Sequence, residues 1–159
     1  MQIEPYNGNQ LNTLINLSLR AWTPVFDLLQ KSLYPHVYQA FYPESWQVSQ
    51  QKAVEDVCSD EDTNVWVAVD NGSIVGFVAA KLHPEDSMGE IYMVAVEPDF
   101  QRQGIGKALI EYALNWMKNA GMSIAMVETA GDEGHAPARN TYEKAGFELF
   151  PVARYFKKL

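Results

Sequence analysis

The chain has 159 residues, enough for one folded unit with a real core, and its 47% hydrophobic and 20% charged content is ordinary for a globular protein. A formal net charge of −8 argues against a nucleic-acid partner, because phosphate binding needs a basic face; a cationic substrate fits it, as does simple solubility. The single cysteine, Cys58, excludes an intrachain disulfide and points to a reducing, cytoplasmic setting, the start Met1-Gln2-Ile3-Glu4 lacks the basic and apolar regions of a secretory signal, and no apolar run approaches the ~18 residues of a membrane span.

In chain order, Gln2 to Tyr6 reads as a short strand and Asn7-Gly8-Asn9 as a turn. Gln10 to Ala21 has helical spacing through Leu11, Leu14, Ile15 and Leu19. Pro24 suits the first turn of a second helix, Val25 to Ser32, which Tyr34-Pro35 ends. Ser45 is placed to cap a third helix through Ala53 to Cys58. Val65 to Val69 and Ile74 to Lys81 are strands joined by the hairpin turn Asp70-Asn71-Gly72. Leu82 to Gly89 reads as a polar loop. Glu90 to Val96, apolar on both faces, is a central strand. Gly104 to Ala120 is the best-defined helix, with Ile105, Ala108, Leu109, Tyr112, Ala113 and Trp116 on one face and Gly121 at its C′ position. Ser123 to Glu128 is a strand, Pro137 opens a helix ending near Ala145-Gly146, and Phe147 to Phe150 and Val152 to Lys157 are expected to be two closing strands.

The most informative stretch is Gln101-Arg102-Gln103-Gly104-Ile105-Gly106-Lys107, between the central strand and the amphipathic helix. Its glycines permit close backbone approach, and exposed N–H groups at a helix start form an anion site favoured by the helix dipole. Arg102 and Lys107 put cations at the positive end of that helix, an arrangement that is unfavourable unless an anion binds there. The stretch therefore reads as a pyrophosphate cradle. It is not a Walker loop, which needs Gly at 101 and Ser or Thr at 108 where the chain has Gln101 and Ala108. It is not a Rossmann fingerprint, which needs Gly or Ala at 109 where the chain has Leu109.

The pattern Gln-x-x-Gly-x-Gly, with Glu128 and Tyr142-Glu143-Lys144-Ala145-Gly146-Phe147 downstream, resembles the GNAT N-acetyltransferase superfamily. The likeness is good from about residue 65 to 150 and rests on element order alone before that. It implies an α/β fold: a single GNAT-like domain over 1–159, with a mixed, mostly antiparallel sheet of about six or seven strands flanked by helices. The sheet would be splayed between its fourth and fifth strands, leaving a gap for the pantetheine arm of acetyl-CoA. Gln101 to Lys107 would hold the pyrophosphate, and the acceptor would be a primary amine, on a small molecule or a peptide.

Acetyl transfer from a thioester to an amine needs donors for the developing oxyanion, removal of a proton from an amine of pKa ~10.4, and stabilisation of the leaving thiolate. By resemblance, the oxyanion donor is a backbone N–H freed by a bulge in the central strand, with Val94, Ala95 and Val96 contributing through main chain. Tyr142 stands at the position of the thiolate-facing tyrosine. Transfer of its proton (pKa ~10) to a thiolate (~8.5) is uphill by ~1.5 units, or ~2 kcal/mol, so hydrogen bonding with late or incomplete transfer is expected. Two carboxylates compete as base, Glu90 at the start of the central strand and Glu128 at the end of the next, with Glu90 favoured; each also reads as a solvated strand-end carboxylate. His135 occupies the place where the family often has a pantetheine-binding Asn, seven residues before the tyrosine. A cofactor contact, a surface loop residue and a substrate-side base are all open to it.

His36, His83 and His135 are far apart in sequence without metal-ligand spacing, so no metal is expected. Cys58 has no motif around it and reads as core. Trp22, Phe26, Tyr34, Tyr38, Phe41, Tyr42 and Trp46 crowd one segment, which suits an acceptor pocket, helix packing on the sheet, or a homodimer interface. The alternative to an enzyme is a non-catalytic acyl-CoA-binding module of the same fold.

Overall fold

The computed structural model describes residues 1–159. Its five strands are β1 (Gln2–Pro5), β2 (Thr63–Asp70), β3 (Ser73–His83), β4 (Met88–Val96) and β5 (Ile124–Val127), in the spatial order 1-2-3-4-5. The first four pair antiparallel and β5 runs parallel to β4. The helices are α1 (Leu11–Ser32), α2 (Pro35–Phe41), α3 (Trp46–Ser59), α4 (Ile105–Asn119) and α5 (Ala136–Lys144).

Alternation along the strands divides the core between the two faces of the sheet. Trp66, Ala68, Val78, Ala80 and Ile91 pack against Ile105, Leu109, Ile110, Ala113 and Met117 of α4. Val65, Val67, Phe77, Ala79 and Ala95 pack against Leu14, Leu17 and Val54 of α1 and α3. Gln50 Nε2 donates to Ser18 Oγ at 2.8 Å, satisfying the two buried polar side chains between α1 and α3. The β2–β3 hairpin turns on Asn71 (φ 48°) and Gly72 (φ 79°), both left-handed as a tight primed turn requires. Ser45 caps α3 by accepting from Val48 N–H.

Five expectations are corrected. The sheet has five strands, not six or seven. Residues 147–159 form no strand: Leu149, Phe150, Val152 and Tyr155 are 78–91% exposed, so the apolar alternation there has no partner to bury against. The break expected at Pro24 does not occur. Pro24 lies inside the 22-residue α1, and continuity holds because Leu14, Leu17 and Ser18 before it and Phe26 and Leu29 after it are all buried. The polar loop expected from Leu82 to Gly89 is shorter, a helical turn at Pro84–Asp86 followed by Ser87, because β3 runs on to His83 and β4 begins at Met88. The face of α4 is also rotated: Ile110 and Met117 are buried, while Tyr112 is 37% exposed and meets Trp66 edge-on.

Candidate active site

The site begins with a parting of strands. β4 and β5 pair only over Met88–Ile91 and Ile124–Val127, so β4 runs on from Tyr92 to Val96 with no neighbour on that side. The register of β3 on β4 jumps from Ala80–Ile91 to Ala79–Met93, leaving Tyr92 as the extra residue of a bulge. The jump reverses the facing of the strand: Ile91, Val94 and Val96 pack on the α4 side, Met93 and Ala95 on the α1 side. Beyond the strand end, Glu97 N–H donates to the Val75 carbonyl at 2.9 Å. Antiparallel alternation then turns the polar groups of Ala95 toward β3 and those of Val94 and Val96 into the parting. Gln101 Nε2 donates to the Val96 carbonyl there, at 3.1 Å. Of the three residues expected around the oxyanion, Val94 and Val96 thus offer main chain to the gap and Ala95 does not.

The freed strand leads into the loop. Arg102 (φ 60°) and Gly104 (φ 87°) are left-handed, and Gly104 is the N-cap of α4. No side chain caps this helix and no acid lies in its first turn; its first internal bond runs from Ala108 N–H to Gly104 C=O. The N–H groups of Ile105, Gly106 and Lys107 are therefore without helical partners and available to an anion. Gln101 and Gln103 brace the loop, the latter donating to the Asp99 carbonyl at 3.1 Å. Lys107 is exposed, 3.6 Å from Glu111. Arg20 of α1 grips Glu97 with two bonds of 2.7 and 2.6 Å, tying the start of the loop to the opposite layer. That carboxylate raises the affinity of the guanidinium for its proton. An uncapped helix start with cations nearby, at the end of an unpaired strand edge, fits a pyrophosphate on an extended arm.

Tyr142 lies on α5, half-buried against the α4-side core and edge-on to Phe147 at 6.0 Å. Burial alone pushes its hydroxyl up to about 12. Two turns earlier, on the same side of the helix, His135 Nδ1 bonds Asp132 Oδ1 at 2.5 Å. Asp132 is itself only 8% exposed and also accepts from Gly134 N–H. Arg139 staples this loop by donating to the carbonyls of Ala130 and Asp132. Gly134 is required by space, since a Cβ would lie 2.8 Å from the Val25 carbonyl of α1. Asp132 was not among the residues singled out from sequence. Its signal was its spacing, three residues before a helix-capping His.

The two glutamates differ sharply. Glu90 sits one residue before the parting, 18% exposed, with Oε2 2.7 Å from His83 Nε2. Glu128 follows β5, is 78% exposed, and lies 3.9 Å from Arg154 of the C-terminal segment. His83 was missed as a partner; it stands opposite Met88, and so diagonal to Glu90 on the same face. Phe26 of α1 stacks on Trp46, the first residue of α3, at 4.5 Å and meets Tyr42, just past α2, edge-on at 5.1 Å. Burial pushes the Tyr42 hydroxyl up, with the Tyr38 and Asp132 charges adding to it. Burial also raises the Cys58 thiol, partly offset by a hydrogen bond from Tyr6, which leaves it a poor nucleophile.

The fold is shared with N-acetyltransferases of known structure. It superposes on the PaiA N-acetyltransferase from Thermoplasma acidophilum in complex with coenzyme A, with a TM-score of 0.71 at 20% identity, covering 96% of this chain and 94% of that one. The ribosomal-protein-S18-alanine N-acetyltransferase from Escherichia coli gives 0.67 at 20% identity, covering 94% and 79%. Residues 31–147 match the acetyltransferase (GNAT) family, and the chain belongs to that family. Acetyl-CoA is the co-substrate of the family. In sequence the chain is similar to the mycothiol acetyltransferase of Arthrobacter sp. (strain FB24), 30% identical over 144 residues, or 83% of this chain and 42% of that protein. It is also 35% identical to the mycothiol acetyltransferase of Rhodococcus opacus (strain B4) over 85 residues, 51% of this chain and 27% of that protein. The chain thus spans less than half the length of the curated relatives it matches. No helix is long and apolar enough to cross a membrane.

Proposed function

We propose that the chain is an acetyl-CoA-dependent N-acetyltransferase, residues 1–159 forming one transferase domain, which passes the acetyl group to a primary amine by direct attack. The observation that carries this reading is the parting of β4 from β5 at Ile91, with the unpaired strand edge ending at the uncapped start of α4. Relatives named for mycothiol, ribosomal-protein alanine and aminoglycoside acetylation support an amine acceptor as a class without selecting one. The net charge of −8 supports a cationic acceptor and a protein that does not bind nucleic acid. A cytoplasmic setting suits the lone Cys58.

In this reading the amine nitrogen bonds the thioester carbonyl carbon, the C–S bond breaks, and the amine proton leaves to a base. Val94 N–H is the donor available to the carbonyl oxygen. Arg102, Lys107 and the first N–H groups of α4 hold the pyrophosphate. Glu90 is the better base: it is sheltered beside the parting and held by a hydrogen bond, whereas Glu128 is solvated and near a cation. With its hydroxyl at about 12 against ~8.5 for a thiol, full proton transfer from Tyr142 is uphill by about 5 kcal/mol. Tyr142 therefore stabilises the departing sulfur as a hydrogen-bond donor, and water supplies the proton afterwards.

Calorimetric titration with acetyl-CoA, followed by thiol release over a panel of amines, tests the reading. Saturable binding with release by at least one amine is expected. Binding without release from any amine would leave a non-catalytic acyl-CoA-binding module, and no binding would defeat both. Glu90→Gln is expected to lower kcat by at least ~100-fold at neutral pH while Glu128→Gln changes it little.

A further inference from the structure

We propose that His83 is a positioning residue for Glu90, clamping one carboxylate oxygen so that the other is presented to the amine; this rests on the transferase reading. Nε2 and Glu90 Oε2 are 2.7 Å apart, and both side chains are largely sheltered, His83 at 24% and Glu90 at 18% exposure. A carboxylate only accepts, so Nε2 carries the hydrogen and Nδ1 is the free acceptor. Nδ1 lies 3.8 Å from Glu85 Oε1, beyond hydrogen-bond distance, so the hydrogen bond the ring makes within the protein is to Glu90, with Glu85 a charge beside it.

The surroundings leave this clamp to His83 alone. Lys81 stands directly across from Glu90 in the β3–β4 register but turns to Asp60 and Asp62 at the α3–β2 junction, at 3.2 and 3.8 Å. On β5 the residue beside Glu90 is Met126, which has no donor. Tyr92, the bulge residue, is 54% exposed, and Arg20 is committed to Glu97. A glutamate has three rotatable side-chain bonds, and a single fixed oxygen removes most of that freedom at the edge of the parting. Glu85 and Lys81 face the same recess and are the charges that act on the pair from solvent.

The test compares wild type, His83→Ala, His83→Leu and His83→Gln, measuring kcat and both KM values from pH 7 to 10. At pH 7, kcat of His83→Ala is expected to fall about tenfold with the acetyl-CoA KM unchanged within twofold. The defect should shrink toward pH 10, where an amine of pKa ~10.4 sheds its own proton. His83→Gln, which restores an N–H donor, should recover most of the loss. His83→Leu, close in bulk but without a donor, should behave as Ala does and serves if Ala costs stability. A merely structural role predicts a defect of constant size across pH, or one that Gln does not repair; either result overturns the proposal, as does wild-type kcat in the Ala and Leu variants. Failure of wild type to release thiol with any amine would instead overturn the transferase reading and this inference with it.

Discussion

The loop before α4 and the side-chain clusters around it are built from different materials. From Val94 through Lys107 the frame is main chain, a freed strand edge, two left-handed residues and an uncapped helix start, with the Arg102 and Lys107 cations set on it. Elsewhere the chemistry-bearing groups are side chains: the Phe26–Trp46 stack, Tyr42, the Asp132–His135 pair, and the His83–Glu90 pair on β3 and β4. Main-chain sites constrain where glycine must stand but tolerate varied neighbours. Side-chain pockets constrain the neighbours, and any change in them changes what is bound.

The comparison predicts distinct failures on the two sides. The largest effect is expected where the two sides meet. Tyr142→Phe should lower kcat by ~10²-fold or more while leaving acetyl-CoA affinity within about twofold, read by thiol release beside calorimetry; equal loss of affinity would make Tyr142 a packing residue. The same hydroxyl predicts an alkaline effect. Its proton is held to about 12 in the folded state against ~10 unfolded, so the contribution is present below pH 10 and lost as pH rises from 10 to 12. Wild type should lose roughly 2 kcal/mol more stability than Tyr142→Phe over that window, measured by denaturant unfolding.

Two glycines then separate the sides. Gly134→Ala forces a Cβ against the Val25 carbonyl, which cannot yield as a flexible side chain would, and should cost ~1–3 kcal/mol of stability. Gly104→Ala adds a Cβ that meets no neighbour, so its cost is confined to the left-handed backbone, ~1–2 kcal/mol. It should appear mainly as about tenfold weaker acetyl-CoA binding as the loop relaxes. Similar losses of stability in both would erase the distinction. The smallest effect is expected for Arg20→Ala, which cuts the exposed tie from α1 to Glu97 and should cost no more than ~1 kcal/mol in a chemical melt.

Legibility in the sequence followed the same division. The strand, the loop and α4 could be read because turn glycines, helical spacing and a C′ glycine at Gly121 (φ 85°) are local signals. The bulge could not, because β4 is apolar on both faces and a one-residue change of face leaves no trace in such a run. His83–Glu90 needed the register of β3 on β4, and Asp132–His135 needed the packing of Gly134 on α1. The continuity of α1 through Pro24 was decided by burial in tertiary context, which overrode a local breaker, whereas Pro35, expected only to end a helix, opens the short α2 at its first position. Residues 147–159 show the converse: a strand-like pattern does not make a strand without an edge to join.

The extra residue at Tyr92 gives β4 something like a reading frame. Ile91 before it and Val94 after it serve the same layer only because one residue intervenes out of step. Substitution at 92 leaves that count intact. Removing it would restore plain alternation, with Ile91 and Met93 pairing on the adjacent Ala80 and Ala79 and with Val94 and Val96 still on the α4 side, so that only the bulge would be lost. The core should therefore tolerate either a substitution at 92 or its loss, and what the extra residue adds is a local bend of the strand at the mouth of the parting.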